Sequence, residues 1–142
     1  MRAGLRRAYR ATTYAVLASG LAQPFLLRAG KHHAGFDAWL KQQGARQAVL
    51  ITAWNPASRQ QTSKRNKAAN AALAAWLGQR GYHLIDAENR AADPAWCEES
   101  LAVLDLPRSL TRALARRWRQ NAVLFCRRGR RTTLLGTRRK FR

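Results

Sequence analysis

Acidic residues are scarce in this 142-residue chain: seven Asp and Glu stand against 27 Lys and Arg, a formal charge of +20. That excess sets up a field attractive to polyanions and acidic surfaces, although an Arg- and Ala-rich composition also arises from coding bias. Cysteine is nearly absent. Cys97 and Cys126 are the only two, and neither sits in a C-x-x-C pair. A zinc ribbon or thioredoxin-type motif is thereby excluded, and two buried, reduced thiols in a cytoplasmic protein are expected. Long apolar runs are missing as well, since no window approaches the roughly 18 apolar residues of a membrane span. The opening MRAGLRRAYRATTYAVLASGLAQP mimics a bacterial signal peptide with a twin arginine at Arg6-Arg7. Its apolar core, Tyr14 to Ala22, is short and broken by Ser19 and Gly20, which argues against that reading.

The common catalytic signatures are lacking too. In AGKHHAG, His32 stands where a Walker loop needs Ser or Thr, and Phe25 where it needs its first Gly. His32, His33, His83 and the two cysteines show no metal-ligand spacing, so neither a metal nor another cofactor is expected. There is no G-x-S-x-G elbow, and Ser58 and Ser63 have no identifiable base.

What is present suits one globular domain. A chain of this length buries roughly 68–70% of its unfolded surface, and 46% hydrophobic with 24% charged residues is a folded-protein composition. We expect a basic segment over 1–8, a single domain over 9–136 and a basic tail over 137–142. The patterns TTYAVLA and PFLLRA read as strands joined by a Ser19-Gly20 turn, and GFDAWLKQQG as a short helix. QAVLITA is a continuous apolar run suited to a central strand. A long helix from Ser63, its N-cap, to about Gln79 follows, then strands at YHLIDA and CEESLAVLDL. PRSLTRALARRWRQ reads as a helix with Leu110, Leu114 and Trp118 inward, before a closing hairpin, NAVLFC and RTTLLG. This is an α/β (or α+β) pattern. It predicts one mixed sheet of about six to seven strands with three helices packed on it and hairpins at both ends, because parallel neighbours need crossovers.

The charges are unevenly placed. Thirteen basic residues and no acid fill Arg108 to Arg142, while six of the seven acids lie between Asp86 and Asp105. Such a fold allows the acidic waist to neutralise part of the basic end.

The stretch ITAWNPASRQQTSKRNKAANAAL breaks its own pattern. Stepping back from Leu77 and Leu73 by helical intervals leads to Asn70 and Asn66, so two amides continue the buried stripe toward the helix N-terminus. A buried amide without a partner costs about 1–3 kcal/mol, so these two must bond the Trp54-Asn55 turn, a strand end or a ligand. Ligands in sheets with crossover helices sit beside helix N-termini, and Arg59, Lys64 and Arg65 stand there as candidate anion contacts. The plainer alternative is that Asn55, Asn66 and Asn70 only tie a loop to the sheet. In WCEESLAVL the alternation sets Cys97, Glu99, Leu101 and Val103 on one face and Trp96, Glu98, Ser100 and Ala102 on the other. One glutamate, Glu98 or Glu99, therefore shares a face with core residues. Arg28 is its candidate partner, and a structural ion pair competes with a catalytic acid.

The ordered set AYRATTY, LLRAG, ITAWNPAS, RNKAAN, WCEES and RQNAVLF resembles the bacterial domain-of-unknown-function family 3293. The resemblance covers about residues 9–136 and is most specific at Trp54-Asn55-Pro56 and Glu98-Glu99-Ser100. It implies no activity. It does imply that Asn55, Asn66, Asn70, Glu98, Glu99, Gln120 and Asn121 fall on the family's motifs, and that Tyr9 to Tyr14 belong to the domain.

Two functions follow as expectations. One is a polar pocket at the Trp54–Asn70 turn, lined by Arg28, Asn55, Asn66, Asn70 and Glu99, with Trp54, Glu98, Gln120 and Asn121 as further candidates, that binds a small anionic or nucleotide-like ligand. The other is a nucleic-acid-binding module in which the C-terminal helix and Arg127, Arg128, Arg130 and Arg131 of the closing hairpin meet phosphates.

Overall fold

The computed structural model describes residues 3–92 and 95–137, so the basic tail beyond Thr137 lies outside the described residues. These residues form α1 (Ala3–Ala11), β1 (Thr13–Val16), β2 (Phe25–Leu27), α2 (Ala34–Gln42), β3 (Gln47–Ile51), α3 (Ser63–Gln79), β4 (Leu84–Ala92), β5 (Ala95–Leu104), α4 (Arg108–Arg117), β6 (Ala122–Arg127) and β7 (Thr133–Gly136). A short 3-10 turn, Pro56–Ser58, interrupts the link from β3 to α3. Thr62, rather than Ser63, caps α3, its Oγ1 accepting the Arg65 N–H at 3.2 Å.

Two expectations need correction. The described residues hold four α-helices rather than three. The extra one, α1, buries none of its residues fully, so its apolar stripe of Leu5, Ala8 and Tyr9 is too slight to stand out from the arginines around it. The sheet is also antiparallel throughout rather than mixed, with strand order β2-β1-β4-β5-β3-β6-β7. Helical crossovers do join strands of like direction, β3 to β4 through α3 and β5 to β6 through α4. In each case another strand occupies the gap: β5 lies between β3 and β4, and β3 lies between β5 and β6. Crossovers therefore made no parallel neighbours.

The sheet curls until its two edges meet at one end. The Gly30 N–H donates to the Thr132 carbonyl at 3.0 Å, the Thr132 N–H to the Lys31 carbonyl at 3.1 Å, and the Thr132 hydroxyl to the Arg28 carbonyl at 2.6 Å. The turn after β2 is thus stitched to the residue that precedes β7.

Both faces of the sheet are buried, and pleating divides the residues between them. The inner face carries Tyr14, Val16, Leu27, Leu50, Ala102 and Leu124 against Phe36, Trp39 and Leu40 of α2. His33 caps that helix, its Nδ1 accepting the Phe36 N–H at 3.0 Å. The outer face carries Val49, Ile51, Leu101, Val103, Val123 and Phe125 against Leu73 and Leu77 of α3 and Leu114 and Ala115 of α4. Double cover explains why β3 reads as an unbroken apolar run: Ala48 to Ile51 are all buried.

Both cysteines are free thiols, but only Cys126 is buried and Cys97 is exposed. Cys97 lies near the start of β5, where the strand has run beyond the covering helices. The two occupy opposite faces and are separated along the strand direction by about seven residues of β5, on the order of 20 Å. No disulfide can join them within one chain. We therefore expect the monomer to melt at the same temperature with and without a thiol reductant, and a reductant-dependent shift in differential scanning calorimetry would contradict this arrangement.

Candidate functional site

At the end of β3 the chain leaves the sheet and must satisfy its freed backbone groups. Asn70 on α3 accepts the Ala53 N–H through Oδ1 at 3.1 Å. The Thr52 hydroxyl donates to the Glu99 carbonyl at 2.7 Å and accepts the Trp54 N–H at 3.0 Å. Asn66, one turn earlier on α3, makes a reciprocal pair with Asn55: its Oδ1 accepts the Asn55 N–H and its Nδ2 donates to Asn55 Oδ1, both at 2.8 Å. The Gln61 N–H donates a second bond to Asn55 Oδ1 at 3.0 Å. The two amides that break the apolar stripe are 2% and 7% exposed and serve the turn.

That turn is strained. Asn55 (φ 46°, ψ 66°) is left-handed, a conformation its short polar side chain tolerates, but Ala57 (φ 57°) and Ser58 (φ 59°) follow it there. Each such non-glycine residue costs on the order of 1–3 kcal/mol, so the surroundings must hold it. The chain before β6 does so. Gln120 Nε2 donates to the Trp54 carbonyl at 3.2 Å, Asn121 Nδ2 to Ser58 Oγ at 2.7 Å, and the Ala57 N–H to the carbonyl of Arg119, itself left-handed (φ 56°).

The held turn delivers one free donor inward. Asn55 Nδ2 donates to Glu98 Oε1 at 3.2 Å. Glu98 is the glutamate that shares the inner face, with Ser100 and Ala102, whereas Glu99 points outward and is exposed. Alternation defined both faces correctly. It did not show which face is enclosed at this end of β5, because both are buried at the sheet centre and only the inner one remains covered here. Asn89 stands directly opposite Glu98 in the β4–β5 ladder. Burial pushes the Glu98 carboxyl above its ordinary range, and the nearby amides of Asn55 and Asn89 oppose that rise.

Around Glu98 lies a cavity of about 160 Å³. Leu5, Ala8 and Tyr9 of α1 form one wall, Tyr14, Leu50, Thr52 and Ala122 the sheet side, and Trp54, Trp96 and Gln120 the rim. Burial first, then the Glu98 charge, raises the Tyr9 phenol to about 12, against opposing hydrogen bonds to Ser58 and the Ala122 backbone. Burial also raises Tyr14. Both phenols therefore stay protonated at neutral pH. A more open groove of about 520 Å³ continues past Asn55, Glu98 and Trp96 to Ser63 and Asn66 at the start of α3.

The structure gathers Trp54, Asn55, Glu98 and Gln120 at the cavity and Asn66 at the groove. Asn70 and Asn121 sit behind the turn as its supports. Arg28 is elsewhere, exposed, its Nη2 donating to the Arg10 carbonyl at 3.0 Å. Arg59, Lys64 and Arg65 are exposed, and none of them lines either space. Arg127, Arg128, Arg130 and Arg131 are exposed at the far end of β6. Sequence reasoning missed Tyr9 and Asn89. Asn89 carried a signal, since it continues the inner-face alternation of Ile85 and Ala87. Among the described residues no cluster of three His, Cys, Asp or Glu fit to hold a metal ion is present, and no helix is long and apolar enough to cross a membrane.

A family model described as "Protein of unknown function (DUF3293)" matches residues 51–123, the span from the last residue of β3 to the start of β6 that carries the turn, its amides, Asn89, Glu98 and Gln120. No curated protein and no solved structure matches the chain.

Since the amides bond backbone groups of a buried turn, replacing either one strands a partner. Asn66→Ala and Asn70→Leu should each destabilise the fold by about 1–3 kcal/mol in chemical denaturation. An unchanged or raised midpoint for both would show that the amides are not what holds the turn.

Proposed function

The chain belongs to the DUF3293 family of proteins of unknown function, and from that premise we propose that it binds a small, uncharged, ring-bearing polar ligand of the nucleobase or nucleoside kind in the Glu98 cavity. The observation that carries this reading is the environment of Glu98: an inward carboxyl bonded by Asn55 and facing Asn89, with no Lys or Arg among the lining residues. A carboxylate offers two acceptor oxygens side by side, and the amides near it add donors. Such an edge complements the adjacent N–H and ring-nitrogen or carbonyl groups of a nucleobase. Trp54 and Trp96 supply π-faces at the rim, and Trp96 keeps 38% of its surface exposed.

The absence of a lining cation narrows the ligand. A carboxylate or phosphate inside the cavity would face Glu98 with nothing to neutralise it. Any anionic part of a nucleotide-like ligand belongs in the groove outside, toward the start of α3, where backbone N–H groups are free. Cytoplasmic residence fits two thiols that do not pair. The competing reading has the C-terminal helix and the Arg127–Arg131 hairpin meet phosphates; its hairpin part rests on charge alone, and Arg128 Nη1 there already donates to the Ala45 carbonyl at 3.3 Å.

Thermal-shift and calorimetric titration against nucleobases, nucleosides, nucleoside monophosphates and small dicarboxylates tests the proposal. A nucleoside should raise the melting temperature, its monophosphate should bind no more than about tenfold tighter, and Trp96→Ala should weaken both. Preference for a dicarboxylate, or no response to any nucleobase-bearing compound, would overturn it.

Glu98 also sets a pH dependence. Its folded pKa is raised above the ordinary 4.5, so its contribution to stability is fully present below that value and is lost as pH rises through the folded pKa. Glu98→Gln, which keeps the acceptor for Asn55, should therefore stabilise the protein at neutral pH and lose that advantage below about pH 4.5. A pH-independent difference in denaturation midpoint would show that the carboxyl is not desolvated.

A further inference from the structure

Helix α1 has a second working face. Leu5, Ala8 and Tyr9 look into the Glu98 cavity, while Arg6 and Arg10, one turn apart, border a different space. Helix α4 likewise presents Arg108 and Arg112, one turn apart, to that same space. It is a groove of about 360 Å³ running past Gly30 and along β7 from Thr132 to Gly136. The two arginine pairs lie 98 or more residues apart in the chain, so only the curl of the sheet, which brings the end of β2 to the start of β7, unites them.

Nothing in the described residues compensates these four charges. No carboxylate lines the groove. The two ion pairs formed by the described residues are Glu88 with Arg90 and Asp37 with His32, both elsewhere. None of the four guanidinium groups hydrogen-bonds a described residue. Arg108 alone has a close partner, the Phe125 ring, 5.6 Å from its Cζ to the centroid. Like charges one turn apart on a helix repel, and two such pairs here share one concavity. An anion between them reverses the sign of that interaction. Guanidinium forks match tetrahedral oxyanions two bonds at a time, and a pair on each side suits neighbouring phosphates better than a single carboxylate. Beside them β7 pairs with β6 on one side only and offers unpaired backbone groups along its other edge.

We propose that the groove between α1, α4 and the β7 edge is a phosphate-binding site, with Arg6, Arg10, Arg108 and Arg112 as its contacts, for successive phosphates of a nucleic-acid strand or of a free polyphosphate. The site is separate from the Glu98 cavity and stands whether or not that cavity takes a nucleobase. It also differs from the hairpin arginines at the end of β6.

Two variants of the full chain with equal charge loss test it: Arg6→Gln, Arg10→Gln, Arg108→Gln and Arg112→Gln together, and the same change at Arg127, Arg128, Arg130 and Arg131. Binding of a labelled single-stranded RNA oligonucleotide and of inorganic tripolyphosphate is measured over a salt series, with circular dichroism melts to check folding. The groove variant should lose at least tenfold in affinity, and its log–log salt slope for RNA should fall by about 2–3, given roughly 0.7 per phosphate contact on a single strand. The hairpin variant should stay near wild type. Without ligand at low salt, the groove variant should melt at or above the wild-type temperature because repulsion is relieved. Binding of the oligonucleotide but not tripolyphosphate identifies a strand as the source, and the reverse identifies a free polyphosphate. Equal losses in the two variants, or no binding of either probe by the wild type at low salt, would overturn the site.

Discussion

The reciprocal hydrogen bonds between Asn55 and Asn66, two contacts of 2.8 Å between the turn after β3 and the second turn of α3, are the constraint from which the candidate site follows. Without them the Asn55 backbone has no reason to remain left-handed, and the positive φ angles of Ala57 and Ser58 lose their anchor. With them, Asn55 uses its N–H and Oδ1 on structure and keeps Nδ2 for Glu98. Backbone strain, two buried amides and one inward carboxyl thus form a connected unit. Such units are vulnerable to a single missing partner, since a low-dielectric setting strengthens satisfied bonds and penalises unsatisfied ones alike.

The curled sheet gives this unit its enclosure. Because the two edges meet at the Arg28–Lys31 and Thr132 end, the inner face forms a concave surface with α2 packed on it. Helix α1 stands by the cavity with its short apolar stripe and by the arginine groove with its basic one. A nine-residue helix with no fully buried residue is a modest contributor to the core. Its importance lies in being a wall shared by two concavities of different character, one polar and without a lining cation, the other cationic.

Charge is organised less by ion pairing than by position. Among the described residues the acidic waist forms no ion pair with the basic end: Asp105 Oδ1 accepts the Arg46 and Gln47 N–H groups at 2.9 and 3.3 Å, and Glu88 pairs locally with Arg90. Asp37, outside the waist, accepts the Gly129 N–H at 2.7 Å. Among the described C-terminal arginines, Arg116 and Arg128 donate to backbone carbonyls and none pairs with a carboxylate, so the field of the excess positive charge persists at the surface.

Much of this was legible in one dimension because it depends on local periods. The α3 stripe of Asn66, Asn70, Leu73 and Leu77 is buried as its spacing requires, the closing hairpin turns at Gly129 (φ 81°), and the faces of β5 divide as alternation dictates. The amides had to bond something, and the Trp54-Asn55 turn was one of the named partners. The sequence could not say that β5 would insert between β3 and β4, because strand order is decided by long-range pairing, which leaves no periodic trace in the strands that flank the gap. Nor could it say that Glu98 rather than Glu99 faces an enclosed space, since that depends on which face stays covered past the end of the core. Arg6 falls in the expected basic segment 1–8, Arg10 in the expected domain, and Arg108 and Arg112 on the helix expected to meet phosphates in the nucleic-acid reading. Their convergence comes from the curl of the sheet, a property of seven strands together that no single segment carries.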